Sequence, residues 1–213
     1  MNFLLFGPQG SGKGEQAKRI AEHFGLELIS MGDTFRKIAH EDSERGRYVD
    51  ELINKQGKLI PDDLTFEILG EALEKSFQRG FILDGYPRSL SQLQTLEKFL
   101  DERNQKIDKA FYLEVSPATA VVRLSQRRVC QNCGRIYNLV TNPPKKGGIC
   151  DDCGGSLIQR SDDQPDLIRK RLEIYQKQTI PLIEYFDRKG ILEKINGEVP
   201  IKDVFEDIKR RIK

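Results

Sequence analysis

The stretch GPQGSGKGEQ, Gly7 to Gln16, decides the fold. The five apolar-rich residues before it, Asn2–Phe6, read as a buried strand, and Lys13–Phe24 after it reads as a helix. Between them, Gly7-x4-Gly12-Lys13 has the spacing of a phosphate-cradling loop. Glycines at 7, 10, 12 and 14 let backbone N–H groups turn inward around an anion, and the helix adds its positive N-terminal end. Lys13 would then reach the β- and γ-phosphates of a nucleotide. A glycine-rich turn with an exposed lysine is the plainer reading, but it leaves the strand and helix on either side unexplained. Gly14 stands where a hydroxyl usually follows the lysine, and Glu15 puts a carboxylate at the rim.

Working outward, apolar runs alternate with helical patterns. Strands are expected at Leu26–Ile29, Phe81–Asp84, Ala110–Val115 and Ile191–Ile195. Helices are expected over Gly32–Gln56 (broken near Gly46), Pro61–Phe77, Leu90–Arg103, Pro117–Arg127 and Ile201–Ile212. A long helix over Gln164–Arg188 should kink at Pro181. Strands separated by helices imply an α/β fold, a five-stranded parallel sheet of the P-loop NTPase type flanked by helices.

The segment Val129–Asp163 breaks this rhythm, with seven Gly or Pro and little helical period. It holds all four cysteines of the chain, as Cys130-x2-Cys133-x16-Cys150-x2-Cys153. Two such pairs have zinc-ribbon spacing, and the Gly after each pair suits a tight turn around sulfur. Two disulfides would be the alternative in an oxidising compartment. With four thiolate ligands a zinc ion is structural, having no open position for catalysis.

A net charge of +2 on 213 residues gives no electrostatic argument for nucleic acid. The early apolar run Phe3–Phe6 is too short for a signal peptide or membrane span. A cytoplasmic protein without a membrane partner is expected. Asp84 closes an apolar strand, where open α/β sheets bind ligands, and is placed to hold Mg²⁺ through water. Arg127 and Arg160 bracket the cysteine segment, one at each base, where a moving module would bring them over a bound triphosphate.

With GPQGSGKG in place, SMGDTFR, GKLIPDD, GFILDGYPRSLSQ, RLSQRR, the four cysteines and RSDDQPDLIRKRL follow in order. Over nearly its full length the chain resembles the bacterial-type adenylate kinases with a long, zinc-binding lid. The resemblance implies one core domain, residues 1–213, with an AMP-binding flap at 30–60 and a zinc-binding lid at 126–164. It implies that Gly10, Ser11, Gly12, Lys13, Gly14 and Glu15 hold the ATP phosphates. Arg123, Ile136, Tyr137, Gly197 and Val199 would surround the adenine of ATP. Arg36 and Arg88 would grip the phosphate of AMP, while Gln92 and the backbone of Gly85 and Tyr86 read its base. Met31 and the Lys58, Leu59, Ile60 stretch would lie beside it. Arg127, Arg160 and Arg171 would close on the phosphoryl group in flight, with Lys13, Arg88 and Asp84 completing the catalytic set. Asp162 and Asp163, at the return hinge, would pair with lid arginines. ATP, AMP and ADP are the implied small-molecule substrates, Mg²⁺ and a structural Zn²⁺ the implied cofactors, and a monomer the implied state.

Three positions depart from the family pattern. Glu15 and Met31 stand where Thr is usual, and Tyr86 replaces Phe. Glu15 is expected to turn outward, or to accept a hydrogen bond from a magnesium-bound water. Met31 removes a hydroxyl beside AMP and so weakens the argument for AMP over UMP, CMP or GMP as acceptor. A zinc-ribbon nucleic-acid ATPase is a different reading, opposed by a module poor in aromatic and basic residues. A nucleotide binder that has lost its chemistry through Glu15 is a third, opposed by the complete set of Lys13 and arginines.

Overall fold

The computed structural model describes residues 1–212 except 57 and 59. Its centre is a parallel five-stranded sheet, with β1 (Asn2–Phe6) between β3 (Phe81–Asp84) and β4 (Lys109–Glu114). The sheet is completed outside these by β2 (Glu27–Ser30) and β8 (Leu192–Asn196). Successive residues of a strand face opposite sides, and β1 divides accordingly. Phe3 and Leu5 pack with Ile82, Phe111 and Ile195 against α1 (Lys13–Phe24) and α9 (Ile201–Arg211). Leu4 and Phe6 join Leu83, Ala110 and Phe186 on the other face. That face is covered by α4 (Asp62–Ser76), α5 (Leu90–Asp101) and α8 (Ile180–Arg188). Apolar layers on both sides explain why β1 is a continuous hydrophobic run rather than an alternating one.

Three expectations change in detail. The helical stretch at 32–56 is interrupted after α2 (Met31–Ala39), not at Gly46. The next helix, α3 (Glu44–Asp50), starts where the Ser43 hydroxyl accepts from the Gly46 N–H at 2.9 Å. Gly46 is needed for close packing instead: a Cβ there would lie 2.3 Å from the Glu41 carbonyl oxygen. Arg127 leaves α6 (Pro117–Ser125) and opens β5 (Arg127–Cys130). The long helix near the C-terminus is three segments: α7 (Pro165–Ile174), a π turn at Tyr175–Thr179, and α8 with Pro181 in its first turn. Pro181 lacks an N–H and its ring crowds the carbonyl four residues back, so the wider turn replaces the simple kink.

The cysteine segment forms its own antiparallel sheet, with β5 between β6 (Ile136–Asn138) and β7 (Leu157–Ile158). Both cysteine pairs fold alike. Gly134 N–H donates to Cys130 O, and Gly154 N–H to Cys150 O, each at 3.0 Å. No described helix is long and apolar enough to cross a membrane.

Candidate active site

The phosphate loop leaves the carboxyl end of β1 and enters α1 through Gly12. Gly10 has φ +83, and a Cβ there would meet the Ala120 carbonyl oxygen at 2.8 Å, so both conformation and space require glycine. The Lys13 ammonium folds back over the loop, donating to Gly7 O at 2.6 Å and Pro8 O at 2.9 Å. Desolvation lowers its pKa to about 8, against an opposing pull from Asp84 and with a further push from Arg88, Arg171 and Arg127. Burial raises the pKa of Asp84, partly offset by Lys13. The Asp84 carboxylate accepts from the Ser30 hydroxyl at 3.4 Å. A Cβ at Gly14 would stand 3.5 Å from it, so Asp84 lies beside the first turn of α1.

The arginines converge on this place from distant parts of the chain. Arg88 donates to the Gly85 carbonyl at 2.8 Å, and desolvation, reinforced by Arg171, lowers its pKa to about 10. Arg127 makes a two-point pair with Asp163, at 2.5 and 2.7 Å, and the Asp163 side chain is fully buried. Arg171 lies 2.9 Å from the Asp162 carboxylate. Asp162 stays ionised more readily than usual: burial opposes this, but Arg171, Arg127 and Arg160 outweigh it. Arg36 pairs with Asp33 at 2.5 Å, one helical turn earlier. Arg160 differs from the rest. Its Nε is buried without a hydrogen-bond partner, and desolvation followed by Arg127 and Arg36 lowers its pKa to about 9. Desolvated cations that repel one another are stabilised by an anion of high charge.

A cleft beside these groups is lined by Arg36, Lys58, Ile60, Tyr86, Arg88 and Gln92, with Gly85 and Arg171. Leu59 lies outside the described residues. Met31 does not face the cleft: it is 1% exposed and packs in the apolar layer with Ile29 and Phe35. On the other flank, Arg123 donates to the Gly197 carbonyl at 2.8 Å, and Val199 packs below it on the sheet. Ile136 is exposed, whereas Tyr137 turns into the cysteine module. The Tyr137 hydroxyl donates to Cys150 Sγ at 3.5 Å and accepts from the Asp151 N–H at 2.7 Å. The Tyr137 ring is thus committed to the module, and its backbone lies in the ladder opposite Arg128. Glu15 points along α1 to Arg19, 2.7 Å away, at an exposed position.

The four cysteine sulfurs lie within 4.8 Å of one another. The separations Cys130–Cys153 and Cys133–Cys150 are 3.4 and 3.6 Å. A disulfide is about 2.05 Å long, while tetrahedral sulfur ligands about 2.3 Å from zinc are about 3.8 Å apart. The donor set therefore fits zinc. Hydrogen bonding from Tyr137 lowers the Cys150 thiol to about 6, while, against a backbone hydrogen bond at Gly155, the neighbouring cysteines push the Cys153 thiol up to about 12.

Reading the sequence alone missed two partners. Asp33 is within reach of discovery, since it stands three residues before Arg36 on a helix. Asp62, which accepts from the Gln92 amide at 2.7 Å, is thirty residues away and carries no local signal.

A family model described as adenylate kinase matches residues 5–191. The adenylate kinase of Caldanaerobacter subterraneus subsp. tengcongensis is 45% identical over 213 residues, covering 100% of this chain and 96% of that protein. That of Fervidobacterium nodosum is 44% identical over 207 residues, covering 97% and 94%. That of Geobacillus sp. is 45% identical over 210 residues, covering 98% and 97%. Matched nearly end to end by these relatives, around a loop and a cluster of cations suited to phosphoryl groups, the chain belongs to the adenylate kinase family, the phosphotransferases that convert ATP and AMP to two ADP.

Proposed function

We propose that the cluster around Lys13 and Asp84 is where phosphate passes from Mg-ATP to AMP. The supporting observation is that the Lys13 ammonium, folded over the phosphate loop, is acted on at once by Asp84 and by Arg88, Arg171 and Arg127. Phosphoryl transfer spreads charge over the equatorial oxygens of a loose transition state, so fixed cations do most of the catalysis. In this reading the backbone N–H groups of Gly10–Gly14 and the Lys13 ammonium hold the phosphates of ATP. Lys13 exchanges its two loop carbonyls for phosphate oxygens. Arg36 and Arg88 hold the phosphate of AMP. Arg127, Arg160 and Arg171 close on the migrating group. Of these, Arg160 is the one whose buried Nε lacks a partner until the anion arrives.

Asp84 is the residue that would hold Mg²⁺, through water. The ion supplies charge neutralisation on the transferring phosphates when bound. No general base is required, because the acceptor phosphate is already anionic. Excluding water is required, because water competes as acceptor. Residues 126–164 form the lid that does this, and 30–60 the flap over AMP. Zn²⁺ held by Cys130, Cys133, Cys150 and Cys153 would make the small lid rigid. Gln92 reads the acceptor base from the cleft it lines. Arg123, Gly197 and Val199, with the strand that carries Ile136 and Tyr137, frame the base of ATP. We place the enzyme in the cytoplasm as a monomer. Unbridged cysteines suit a reducing compartment, and a hinged lid and flap leave little fixed surface for a partner.

The direct test is transfer from Mg-ATP to AMP, CMP, UMP and GMP, scored by each diphosphate formed. AMP is the expected acceptor. Diphosphate formed mainly from another acceptor would overturn the assignment of the base pocket, and ATP bound without transfer to any acceptor would overturn the catalytic reading.

A further inference from the structure

Gln92 is 3% exposed, and its amide is held from two sides. Oε1 accepts from the Arg88 backbone N–H at 2.7 Å. Nε2 donates to Asp62 Oδ1, also at 2.7 Å. A primary amide has two N–H donors and two acceptor lone pairs, so one of each remains for the cleft. The second oxygen of Asp62 accepts from the Ser91 hydroxyl at 2.8 Å. Ser91 in turn is 2.8 Å from the Ser89 hydroxyl, so the carboxylate is held as well. Asp62 is the first residue of α4, and Ser89 is the N-cap of α5. The network therefore joins the starts of two helices packed on the same face of the sheet.

The direction of this network has a chemical consequence. A carboxylate only accepts and a backbone N–H only donates. Turning the Gln92 amide over would set its oxygen against Asp62 and its NH2 against the Arg88 N–H. Both contacts would become repulsive, in a place where unmade hydrogen bonds cost most. The amide consequently offers its remaining acceptor and donor in one sense only. Adenine presents an amino donor at C6 and an acceptor at N1, which matches that sense. Hypoxanthine and guanine present an oxo acceptor at C6 and a donor at N1, which demands the reverse.

We propose that Asp62 is the specificity-positioning residue of the acceptor pocket, fixing the sense of the Gln92 amide so that a 6-aminopurine monophosphate is accepted and a 6-oxopurine monophosphate refused. This rests on the reading of Gln92 as the residue facing the acceptor base. Asp62 itself touches no substrate. It acts through Gln92, and refusing the wrong base is as much its effect as binding the right one.

The test is steady-state transfer from Mg-ATP to AMP and to IMP, in the wild type and in Asp62→Asn, Asp63→Asn and Gln92→Leu. Asparagine can turn its own NH2 toward Gln92 and so removes one of the two clashes that oppose the inverted amide, leaving only the Arg88 N–H to hold its sense. Asp63→Asn removes the neighbouring first-turn charge of α4 without touching the network, and controls for helix stability. The ratio of kcat/KM for AMP over IMP does not depend on how much enzyme is folded. In Asp62→Asn this ratio should fall roughly ten- to hundredfold. The fall should come through KM for AMP and the appearance of IMP turnover, with kcat at saturating AMP and KM for ATP within about twofold of wild type. Asp62→Glu should recover part of the ratio, and Asp63→Asn should leave it unchanged. A ratio preserved in Asp62→Asn but lost in Gln92→Leu would overturn the role of Asp62 and leave Gln92 in place. A ratio preserved in Gln92→Leu would overturn the reading of Gln92 itself, and the proposal with it.

Discussion

The sheet domain and the cysteine module are held together by different interactions. The sheet buries two apolar layers that run from β1 to the outer helices. In the module, Cys130, Tyr137 and Cys150 are the fully buried cluster, with Leu157 packed against them, among the described residues. So few apolar side chains bury too little surface to offset the ordering of the chain around them. In the proposed reading the cysteine quartet supplies the difference by binding metal. The cation cluster lies where the two regions meet, since Arg127 opens β5 and Arg160 follows β7. Stability on one side and function at the seam should therefore separate under mutation.

The largest effect is expected at Arg160. It makes no ion pair among the described residues, and its neighbours Arg127 and Arg36 repel it. Arg160→Ala should lower kcat about a thousandfold, the scale of losing a cation from a phosphoryl-transfer transition state. The melting temperature of the nucleotide-free enzyme should hold or rise. A variant that lost activity only in proportion to lost fold would erase the distinction between seam and scaffold.

The next effect concerns the module alone. Cys150→Ser, or removal of zinc by a chelator, should melt the module while leaving the sheet domain folded. Calorimetry should then show the main transition near its original temperature. Transfer should fall about a hundredfold, because Arg127 and Arg160 lose their placement. Simultaneous loss of both regions would show that they fold as one unit.

A smaller effect is written in the pH dependence of Lys13. Its ordinary pKa of 10.5 is lowered to about 8 in the folded, nucleotide-free enzyme. Between these values the unfolded chain binds more protons than the folded one, so this group's contribution to stability rises with pH from about 8 to 10.5. Below that window Lys13 is charged in both states and costs up to about 3 kcal/mol. Lys13→Met should thus stabilise the free enzyme at pH 7, and the gain over wild type should shrink toward pH 10. Binding of ATP should weaken above pH 8 in the wild type as the ammonium deprotonates. Isothermal titration from pH 7 to 9.5 would detect this, and a flat profile would refute it.

The smallest effect belongs to Glu15. It sits in the first turn of α1, paired with Arg19 and exposed. Glu15→Thr should change KM for ATP only a few-fold, and stability by about 0.5 kcal/mol or less, as for an exposed pair one turn apart. A hundredfold gain in ATP affinity would mean that the carboxylate faces the phosphates after all.

Much of the fold was legible because its signals are local. Gly7 to Lys13 encode a loop through spacing, and the run Phe3–Phe6 encodes burial on both sides. The two Cys-x2-Cys pairs encode their own knuckles, since a chelating turn needs only four residues and a glycine. Turn chemistry was harder. Pro181 was expected to kink a helix and instead follows a π turn, because proline forbids one backbone bond without dictating how the neighbouring carbonyls rearrange.

The site was legible in its residue types more than in its pairings. Arg127, Arg160 and Arg171 stand out by position, and Asp162 and Asp163 by adjacency to them. That Arg127 takes Asp163, that Arg171 takes Asp162, and that Arg160 is left with a buried and unpartnered Nε depends on the path of the chain between β7 and α7. Tyr137 and Met31 teach the same lesson from the other side. Each was expected at the edge of a nucleotide pocket, yet each side chain is buried, one among sulfurs and one in the apolar layer. The sequence by itself determined the parallel sheet, the phosphate loop and the cysteine quartet, because periodicity and spacing act within a few residues. Tertiary structure alone decided which charges meet, which side chains face the cleft and that Asp62 holds Gln92. Those contacts join residues far apart in the chain, and their geometry exists only once the helices are packed.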